Sequence, residues 1–296
     1  MPTAELIFDG KHGTGESPVW VPEEQALYWV DIPAKNIWSW CADTQSTRSW
    51  ALPEKVGSIA HIGGNLWVAG METGVFRVTL NSDGSATTAL LSQAHHAAPT
   101  MRFNDGRCDR QGRFLAGTMF QDMAEAKAVG AVSSFDGAGR QRLLLEHMIV
   151  PNGMAFSPDG KIMYLSDSHP SVQTIWAFDY DTNSGTPTNQ RVFVDMTPLP
   201  GRPDGAAVDA DGCYWICGND AGLIHRFTPE GKLDQSLAVP VKKPAMCAFG
   251  GENLDTLFVT SIRPGGVDLS DQPLAGGVFA LRPGVRGLPE PKFLIS

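Results

Sequence analysis

Residues 157–167 read Ser-Pro-Asp-Gly-Lys-Ile-Met-Tyr-Leu-Ser-Asp, a polar Asp-Gly turn followed at once by a short apolar stretch with one aromatic side chain. This order predicts a tight turn that leads into a β-strand. Related phrases recur along the chain, so the stretch is one copy of a repeat. The aromatic positions of its six copies are Trp29, Trp67, Phe114, Tyr164, Trp215 and Phe258.

The spacing of these copies indicates the architecture. Successive aromatic positions are 38, 47, 50, 51 and 43 residues apart, which is the period of four-stranded propeller blades. A single four-stranded sheet cannot cover both of its faces, and radial stacking of six sheets solves that problem. We therefore predict an all-β, six-bladed β-propeller with a central metal site, formed as one domain by residues 1–296. A large β-sandwich with coincidental turns is the alternative.

A propeller closes only when the two ends of the chain meet. Residues 4–8 and 277–281 both have the composition of strands. We therefore expect the N-terminal strand to close the ring by completing a blade built mainly from the C-terminal residues.

Composition limits the classes of function. The chain has 296 residues, 42% of them hydrophobic, and a formal net charge of -9. That charge repels polyanions, so we expect no nucleic-acid partner. We expect no membrane association either, because no apolar run approaches the roughly 20 residues of a membrane helix. The first 11 residues contain no apolar signal segment, and we expect a cytoplasmic protein that is a monomer or a weak homodimer.

Polar residues precede several copies of the repeat, where a propeller would bring them to its axis. They are Glu16 before the first copy, Arg102, Asn104 and Asp105 before the third, Asn152 before the fourth and Asp204 before the fifth. Carboxylate and amide oxygens suit Ca²⁺ or Mg²⁺, and they also bind Mn²⁺ or Zn²⁺. We predict one divalent metal ion of open identity. Asn-Gly and Asp-Gly are also common turn dipeptides that need no ligand, and this alternative stays open.

Six phrases together resemble the gluconolactonase and senescence-marker-protein (regucalcin) family. They are Gly-Glu-Ser-Pro-Val-Trp (15–20), Arg-Phe-Asn-Asp-Gly-Arg-Cys-Asp (102–109), Ala-Gly-Thr-Met (116–119), Asn-Gly-Met-Ala-Phe-Ser-Pro-Asp-Gly (152–160), Pro-Asp-Gly-Ala-Ala-Val-Asp (203–209) and Ala-Gly-Gly-Val-Phe (275–279). They occur in order over nearly the whole chain.

The resemblance implies specific roles. It implies that Glu16, Asn152 and Asp204 bind the metal ion, that Asp204 is also the general base, and that Arg102 and Asn104 contact the substrate. Beside the cation, Asp204 would keep a low pKa. One departure follows Gly-Thr-Met, where animal members of the family have a glutamate and this chain has Phe120, Gln121 and Asp122. We expect Asp122 to take that role in substrate binding.

The predicted activity is metal-dependent hydrolysis of a sugar lactone to the aldonic acid, with a small-molecule sugar lactone as the partner. The metal ion would stabilise the oxyanion that forms at the carbonyl. Two alternatives remain: a non-catalytic calcium-binding regulator, and a hydrolase of non-sugar lactones or esters with an apolar pocket. Lys127, in the loop after Asp122, could reach a charged substrate group, although a solvated surface lysine is the simpler explanation.

Overall fold

The computed structural model describes residues 3–295, and it forms 24 strands there, in six four-stranded antiparallel sheets. The prediction of an all-β six-bladed propeller is confirmed. Blade 1 contains β2 (Gly15–Val21), β3 (Ala26–Asp31), β4 (Asn36–Cys41) and β5 (Thr47–Ala51). Blade 2 contains β6 (Val56–Gly63), β7 (Leu66–Met71), β8 (Gly74–Leu80) and β9 (Ala86–Gln93). Blade 3 contains β10 (Met101–Cys108), β11 (Phe114–Phe120), β12 (Gly130–Phe135) and β13 (Gln141–Met148).

The second half of the chain repeats this plan. Blade 4 contains β14 (Pro151–Phe156), β15 (Ile162–Asp167), β16 (Thr174–Asp181) and β17 (Thr186–Asp195). Blade 5 contains β18 (Arg202–Val208), β19 (Tyr214–Asn219), β20 (Leu223–Phe227) and β21 (Leu233–Ala238). Blade 6 contains β22 (Pro244–Gly250), β23 (Thr256–Ser261), β24 (Val278–Leu281) and, from the other end of the chain, β1 (Glu5–Phe8). Among residues 3–295, no helix is long and apolar enough to cross a membrane.

The first strand of each blade surrounds the axis. These inner strands contact one another in the order β2, β6, β10, β14, β18, β22 and back to β2. Strands β2 and β22 are buried along their whole length, whereas most of the outer strand β17 is exposed. Because an inner strand packs against neighbouring blades on both faces, its sequence does not alternate between buried apolar and exposed polar residues.

The six aromatic positions of the repeat all lie in the second strands of their blades. Trp29, Trp67 and Trp215 are almost completely buried. They fill the space between blades: Trp67 lies 4.6 Å from Tyr28 of blade 1, between ring centroids, and Trp215 lies 5.9 Å from Phe249 of blade 6. The recurring phrase therefore supplies the packing that holds adjacent sheets together.

The Asp-x-x-Gly turns between first and second strands share one hydrogen-bond pattern. Asp109 Oδ1 accepts from the backbone N–H groups two and four residues later, and Asp209 Oδ1 does the same. Gly112 and Gly212 occupy the left-handed region of backbone conformation, with φ of 80° and 83°, which explains glycine at this position.

The ring closes by pairing of the chain ends. Strand β1 is antiparallel to β24, with Glu5 opposite Ala280 and Leu6 opposite Phe279. The outer strand of blade 6 thus comes from the beginning of the chain.

Residues 283–295 follow β24, and we call them the C-terminal segment. This segment crosses the propeller at the end where the inner strands finish. Its backbone bonds to blades 5, 3 and 2: Arg286 O accepts from Ala210 N, Leu294 N donates to Gly112 O, and Phe293 N donates to His61 O, at 2.8 to 3.0 Å. An axial cavity of about 10 Å³ is lined by inner-strand residues together with Glu290 and Pro291. The segment therefore covers this end of the axis.

Candidate active site

Every inner strand contains a β-bulge near its beginning. The pairing register shifts between Glu16 and Val19 in β2, Phe103 and Gly106 in β10, Asn152 and Ala155 in β14, and Pro203 and Ala206 in β18, with related shifts in β6 and β22. A bulge inserts one residue and redirects the side chains beside it. The candidate residues lie within these bulges or directly before them. They are therefore at the axial end opposite the C-terminal segment, and we call this end the mouth.

Glycine allows the bulges to pack closely around the axis. A Cβ atom on Gly57 of β6 would lie 2.3 Å from Phe103 O and 2.8 Å from Asn104 O of the neighbouring blade. A Cβ atom on Gly205, next to Asp204, would lie 2.4 Å from the Cβ of Met246. Larger residues at either position would displace the backbone that carries the polar side chains.

A line of hydrogen bonds connects blades 3 and 4 at the mouth. Arg102 Nη1 donates to Asn104 Oδ1 at 2.7 Å, and Asn104 Nδ2 donates to Asn152 Oδ1 at 3.1 Å. Asn152 Nδ2 then donates to Ser168 Oγ at 2.9 Å. The orientation of both amides is thus fixed, with the Asn152 oxygen on the side of Asn104.

Three buried carboxylates, those of Glu16, Asp105 and Asp204, come from three different blades and are only 6 to 9% exposed. Burial raises the pKa of Glu16 well above its ordinary value, and the charges of Asp204 and Asp105 raise it further. Burial likewise raises the pKa of Asp105. Carboxylates that are buried near one another resist ionisation unless a positive charge joins them.

Asp204 has one hydrogen-bond partner of its own. Asn219 Nδ2 donates to Asp204 Oδ2 at 2.5 Å. Burial raises the pKa of Asp204 to about 7, although the Asn219 bond and the charge of Arg202 oppose the shift. The low pKa expected beside a cation is therefore not found for the protein alone.

Arg102 is a positive group whose charge acts on Glu16. Burial lowers its pKa to about 10, and the charges of Glu16, Glu72 and Asp204 counteract that decrease. The guanidinium is therefore still charged at neutral pH. Glu72, which follows β7, is an acidic residue at the mouth that the sequence patterns did not single out.

The donor atoms fit a divalent cation. Asp105 Oδ1 and Asn219 Oδ1 are buried oxygens without a hydrogen-bond partner among residues 3–295. The predicted ligands Glu16, Asn152 and Asp204 would add two carboxylates and one amide oxygen, a set that hard cations prefer. Three His, Cys, Asp or Glu side chains alone do not form a metal-binding group anywhere in the described part of the chain.

The structure does not bring Asp122 to the other candidates. Its side chain is exposed, and Oδ1 accepts from Ala124 N at 3.0 Å, where it caps the short 3₁₀ turn Met123–Glu125. Gln121 instead extends toward the mouth, where its Oε1 accepts from Lys55 Nζ at 2.5 Å. Lys127 pairs with Glu125 and places its ammonium 4.0 Å from the centroid of the Phe120 ring.

Asn219 and Ser168 also belong to the site, and the sequence analysis missed both. Asn219 is the last residue of β19, and Ser168 directly follows β15. A signal was present, because each is a polar residue that directly follows a copy of the repeat phrase. Because the first and second strands of a blade are antiparallel, the end of the second strand lies beside the beginning of the first. These residues are therefore at the mouth.

Comparison with known proteins agrees with this fold, a six-bladed β-propeller. The SMP-30/gluconolactonase/LRE-like region family matches residues 14–263. A 6-deoxy-6-sulfogluconolactonase from Pseudomonas putida is 37% identical over 281 residues, 94% of each chain. An L-arabinolactonase from Azospirillum brasilense is 34% identical over 98% of this chain and 95% of its own. The crystal structure of a calcium-binding protein, regucalcin, from Agrobacterium tumefaciens superposes with a TM-score of 0.91 at 26% identity, over 99% of this chain and 98% of the other.

The chain belongs to the SMP-30/gluconolactonase/LRE-like family, and the resemblance found in the sequence is confirmed. Its full-length relatives include hydrolases of cyclic esters. The expectation of an enzyme that hydrolyses carboxylic ester bonds is confirmed at the level of that class.

Proposed function

We propose that this protein hydrolyses a sugar-derived lactone to the aldonic acid and that one divalent cation assists the reaction. Glu16, Asn152 and Asp204 hold the cation in this proposal, Asp204 is the general base, and Arg102 and Asn104 bind the substrate. The cation supplies a positive charge that stabilises the oxygen on which negative charge develops as the lactone carbonyl is attacked.

One observation carries the proposal: Glu16, Asp105 and Asp204 are buried on inner strands without an ion pair within residues 3–295, and Asp105 Oδ1 has no hydrogen-bond partner there, although Asp105 Oδ2 accepts from Met154 N at 2.8 Å. A buried carboxylate that only stabilised the fold would be paired or fully hydrogen-bonded. Carboxylates that lack such partners are available to a cation and to water.

The polar character of the pocket favours a sugar over an apolar ester. Arg102 and Asn152 offer N–H groups, and Asn104 offers its amide oxygen because its own N–H groups donate to Pro151 O and Asn152 Oδ1; these groups match the hydroxyl groups of a sugar ring. An esterase for hydrophobic substrates would need an apolar lining at this place. The relatives named as lactonases support the same choice.

Asp204 is suited to accept the proton of the attacking water. The pKa of Asp204 is raised to about 7 in the protein alone, a bound cation would favour the ionised form at neutral pH, and the bond from Asn219 to Oδ2 leaves Oδ1 free to face the substrate. Water adds to the carbonyl carbon, the bond from that carbon to the ring oxygen breaks, and the ring oxygen takes up a proton. The products are a carboxylate and a hydroxyl group on one open chain.

The decisive experiment is hydrolysis of a panel of five- and six-carbon aldonolactones by metal-stripped protein. Ca²⁺, Mg²⁺, Mn²⁺ and Zn²⁺ are added back singly, and acid release is followed with a pH indicator. We expect turnover that depends on the cation and prefers one lactone. Cation binding without turnover of any lactone would contradict the proposal and favour a calcium-binding regulator, and turnover of only apolar esters would favour the other alternative.

A further inference from the structure

The second strand of blade 1 ends in a buried aspartate that holds the backbone leading to Glu16. Asp31 is the last residue of β3 and lies opposite Gly15 in the pairing with β2. Its Oδ2 accepts from Gly13 N at 3.2 Å, and its Oδ1 accepts from Thr14 N at 3.1 Å. These two N–H groups belong to the residues three and two positions before Glu16. Asp31 therefore fixes the backbone just before the bulge that carries Glu16.

Blade 4 contains the same arrangement in the same register. Asp167 is the last residue of β15, is buried, and lies opposite Pro151. Its Oδ2 accepts from Ile149 N at 2.7 Å, and its Oδ1 accepts from Val150 N at 3.1 Å. The two N–H groups are again three and two positions before a predicted cation ligand, here Asn152. The two aspartates thus occupy equivalent positions and make equivalent bonds.

The other blades lack this pair of bonds. Within residues 3–295, a carboxylate accepts from two consecutive backbone N–H groups before an inner strand only in blades 1 and 4. In blade 2, Glu72 accepts from Lys55 N alone. In blade 5, Asp220 accepts from the side chain of Arg202. The paired bonds therefore coincide with the blades of Glu16 and Asn152 and are not a general requirement of the propeller.

The carboxylate of Asp31 is itself held in place by a buried histidine. Trp29 Nε1 donates to His12 Nε2 at 2.9 Å, and an indole N–H can only donate, so the proton of the neutral imidazole is on Nδ1. His12 Nδ1 lies 3.4 Å from Asp31 Oδ2. Asp31 thus faces donors on two sides, which restricts its orientation.

Resting on the proposed cation-assisted function, we propose that Asp31 and Asp167 are positioning residues of the cation site. Asp31 acts through Glu16, and Asp167 acts through Asn152. Both oxygens of each aspartate accept backbone N–H bonds, so neither aspartate is assigned a contact with the cation. A ligand whose backbone is already fixed loses less conformational freedom when the cation binds, and the affinity for the cation is higher as a result.

The test is isothermal titration calorimetry of the metal-stripped protein with Ca²⁺, Mg²⁺, Mn²⁺ and Zn²⁺, each alone. The Kd of the tightest cation should increase about tenfold in Asp31→Ala and in Asp167→Ala. The increase should be smaller in Asp31→Asn and Asp167→Asn, because asparagine keeps one acceptor oxygen. The cation concentration that gives half-maximal lactone turnover should increase in parallel, whereas kcat at saturating cation should stay close to the wild-type value.

Asp136→Ala is the matched control. Asp136 Oδ1 accepts from Ala138 N and Arg140 N, each at 3.0 Å, in the turn between β12 and β13, away from the mouth. This variant also removes the acceptor of two backbone N–H groups, but it should keep the wild-type Kd. Thermal unfolding without metal checks that each variant is folded.

A double-mutant cycle tests which ligand each aspartate acts through. Asp31→Asn should weaken cation binding less in the Glu16→Gln protein than in the wild type, whereas the effect of Asp167→Asn should be the same in both. An unchanged Kd in the folded alanine variants, an equal loss in Asp136→Ala, or full additivity of Asp31→Asn with Glu16→Gln would overturn the inference and leave the proposed function standing. A wild-type protein that binds none of the four cations would overturn both.

Discussion

Two buried aspartates at opposite ends of one strand differ sharply in their surroundings. Asp204, near the beginning of β18, is 7% exposed, and Asp209, directly after its end, is 0% exposed. Asp209 accepts four hydrogen bonds, from two backbone N–H groups, from Trp215 Nε1 and from Arg226 Nε. Asp204 accepts one, from Asn219.

The difference separates a carboxylate that holds the fold from one that is available for chemistry. Four donors, one of them the Arg226 cation, compensate the burial of Asp209, so it stabilises the turn and the adjacent strands. Asp204 has one side-chain donor, so burial opposes its ionisation and raises its pKa to about 7, and a bound cation would favour the ionised form. Burial alone therefore does not mark a functional carboxylate; burial without partners does.

The largest expected effect belongs to Asp204. Replacing it by asparagine keeps the shape but removes the base and one predicted cation ligand, so kcat should fall by about a thousandfold or more. The unfolding free energy of the metal-free protein at pH 8 should be equal to or above that of the wild type, because a buried charge is removed. Lactone turnover and chemical unfolding measure the two quantities. Wild-type activity would exclude Asp204 as the base.

Asp209→Ala should give the opposite result. It leaves the Arg226 guanidinium, still bonded to Asp234, without its most buried partner and removes the acceptor of two backbone N–H groups. We expect the unfolding free energy to decrease by about 3 to 5 kcal/mol. The fraction that remains folded should hydrolyse the lactone at close to the wild-type rate. A loss of kcat without a loss of stability in Asp209→Ala would contradict the structural role assigned to Asp209.

A smaller effect concerns the pH dependence of stability. The pKa of Asp204 is raised to about 7 in the folded protein, so the folded state holds this proton more tightly than the unfolded state. The metal-free protein should therefore be stabilised below about pH 4 and lose that contribution as the pH rises through 7. We expect its Tm to decrease by about 5 °C between pH 5 and pH 8.

Two controls sharpen the pH prediction. A saturating divalent cation should reduce the decrease, because the cation favours the ionised carboxylates, and Asp204→Asn should flatten the profile of the metal-free protein. Differential scanning calorimetry in buffers of equal ionic strength provides the measurement. A Tm that rises from pH 5 to pH 8 in the metal-free protein would show that folding does not raise the pKa of Asp204.

The repeat made the fold predictable from the sequence. Trp67 and Trp215 must fill equivalent spaces between blades, and Gly112 and Gly212 must adopt the same left-handed turn, so the same residue types return every 38 to 51 residues. Local requirements repeated six times leave a strong pattern in the sequence.

The arrangement of the site was less accessible to sequence reasoning. Glu16, Arg102, Asn104, Asn152 and Asp204 were predicted as candidates from their places before the repeat, and the structure brings them to one end of the axis. The bulges that orient them are single-residue shifts of register, and no residue type encodes these uniquely. Asp122 was expected to bind the substrate, but its side chain caps a turn. A shift of one residue along the loop changes which side chain points toward the mouth, and here that side chain is Gln121.

Because the C-terminal segment covers the far end of the axis, the candidate site in residues 3–295 has a single entrance, at the mouth. In the proposed reaction, substrate and product would use the same passage, so the open-chain acid would have to leave before the next lactone binds. Product and substrate would therefore compete for the same site, and the rate of product release would set an upper limit on turnover.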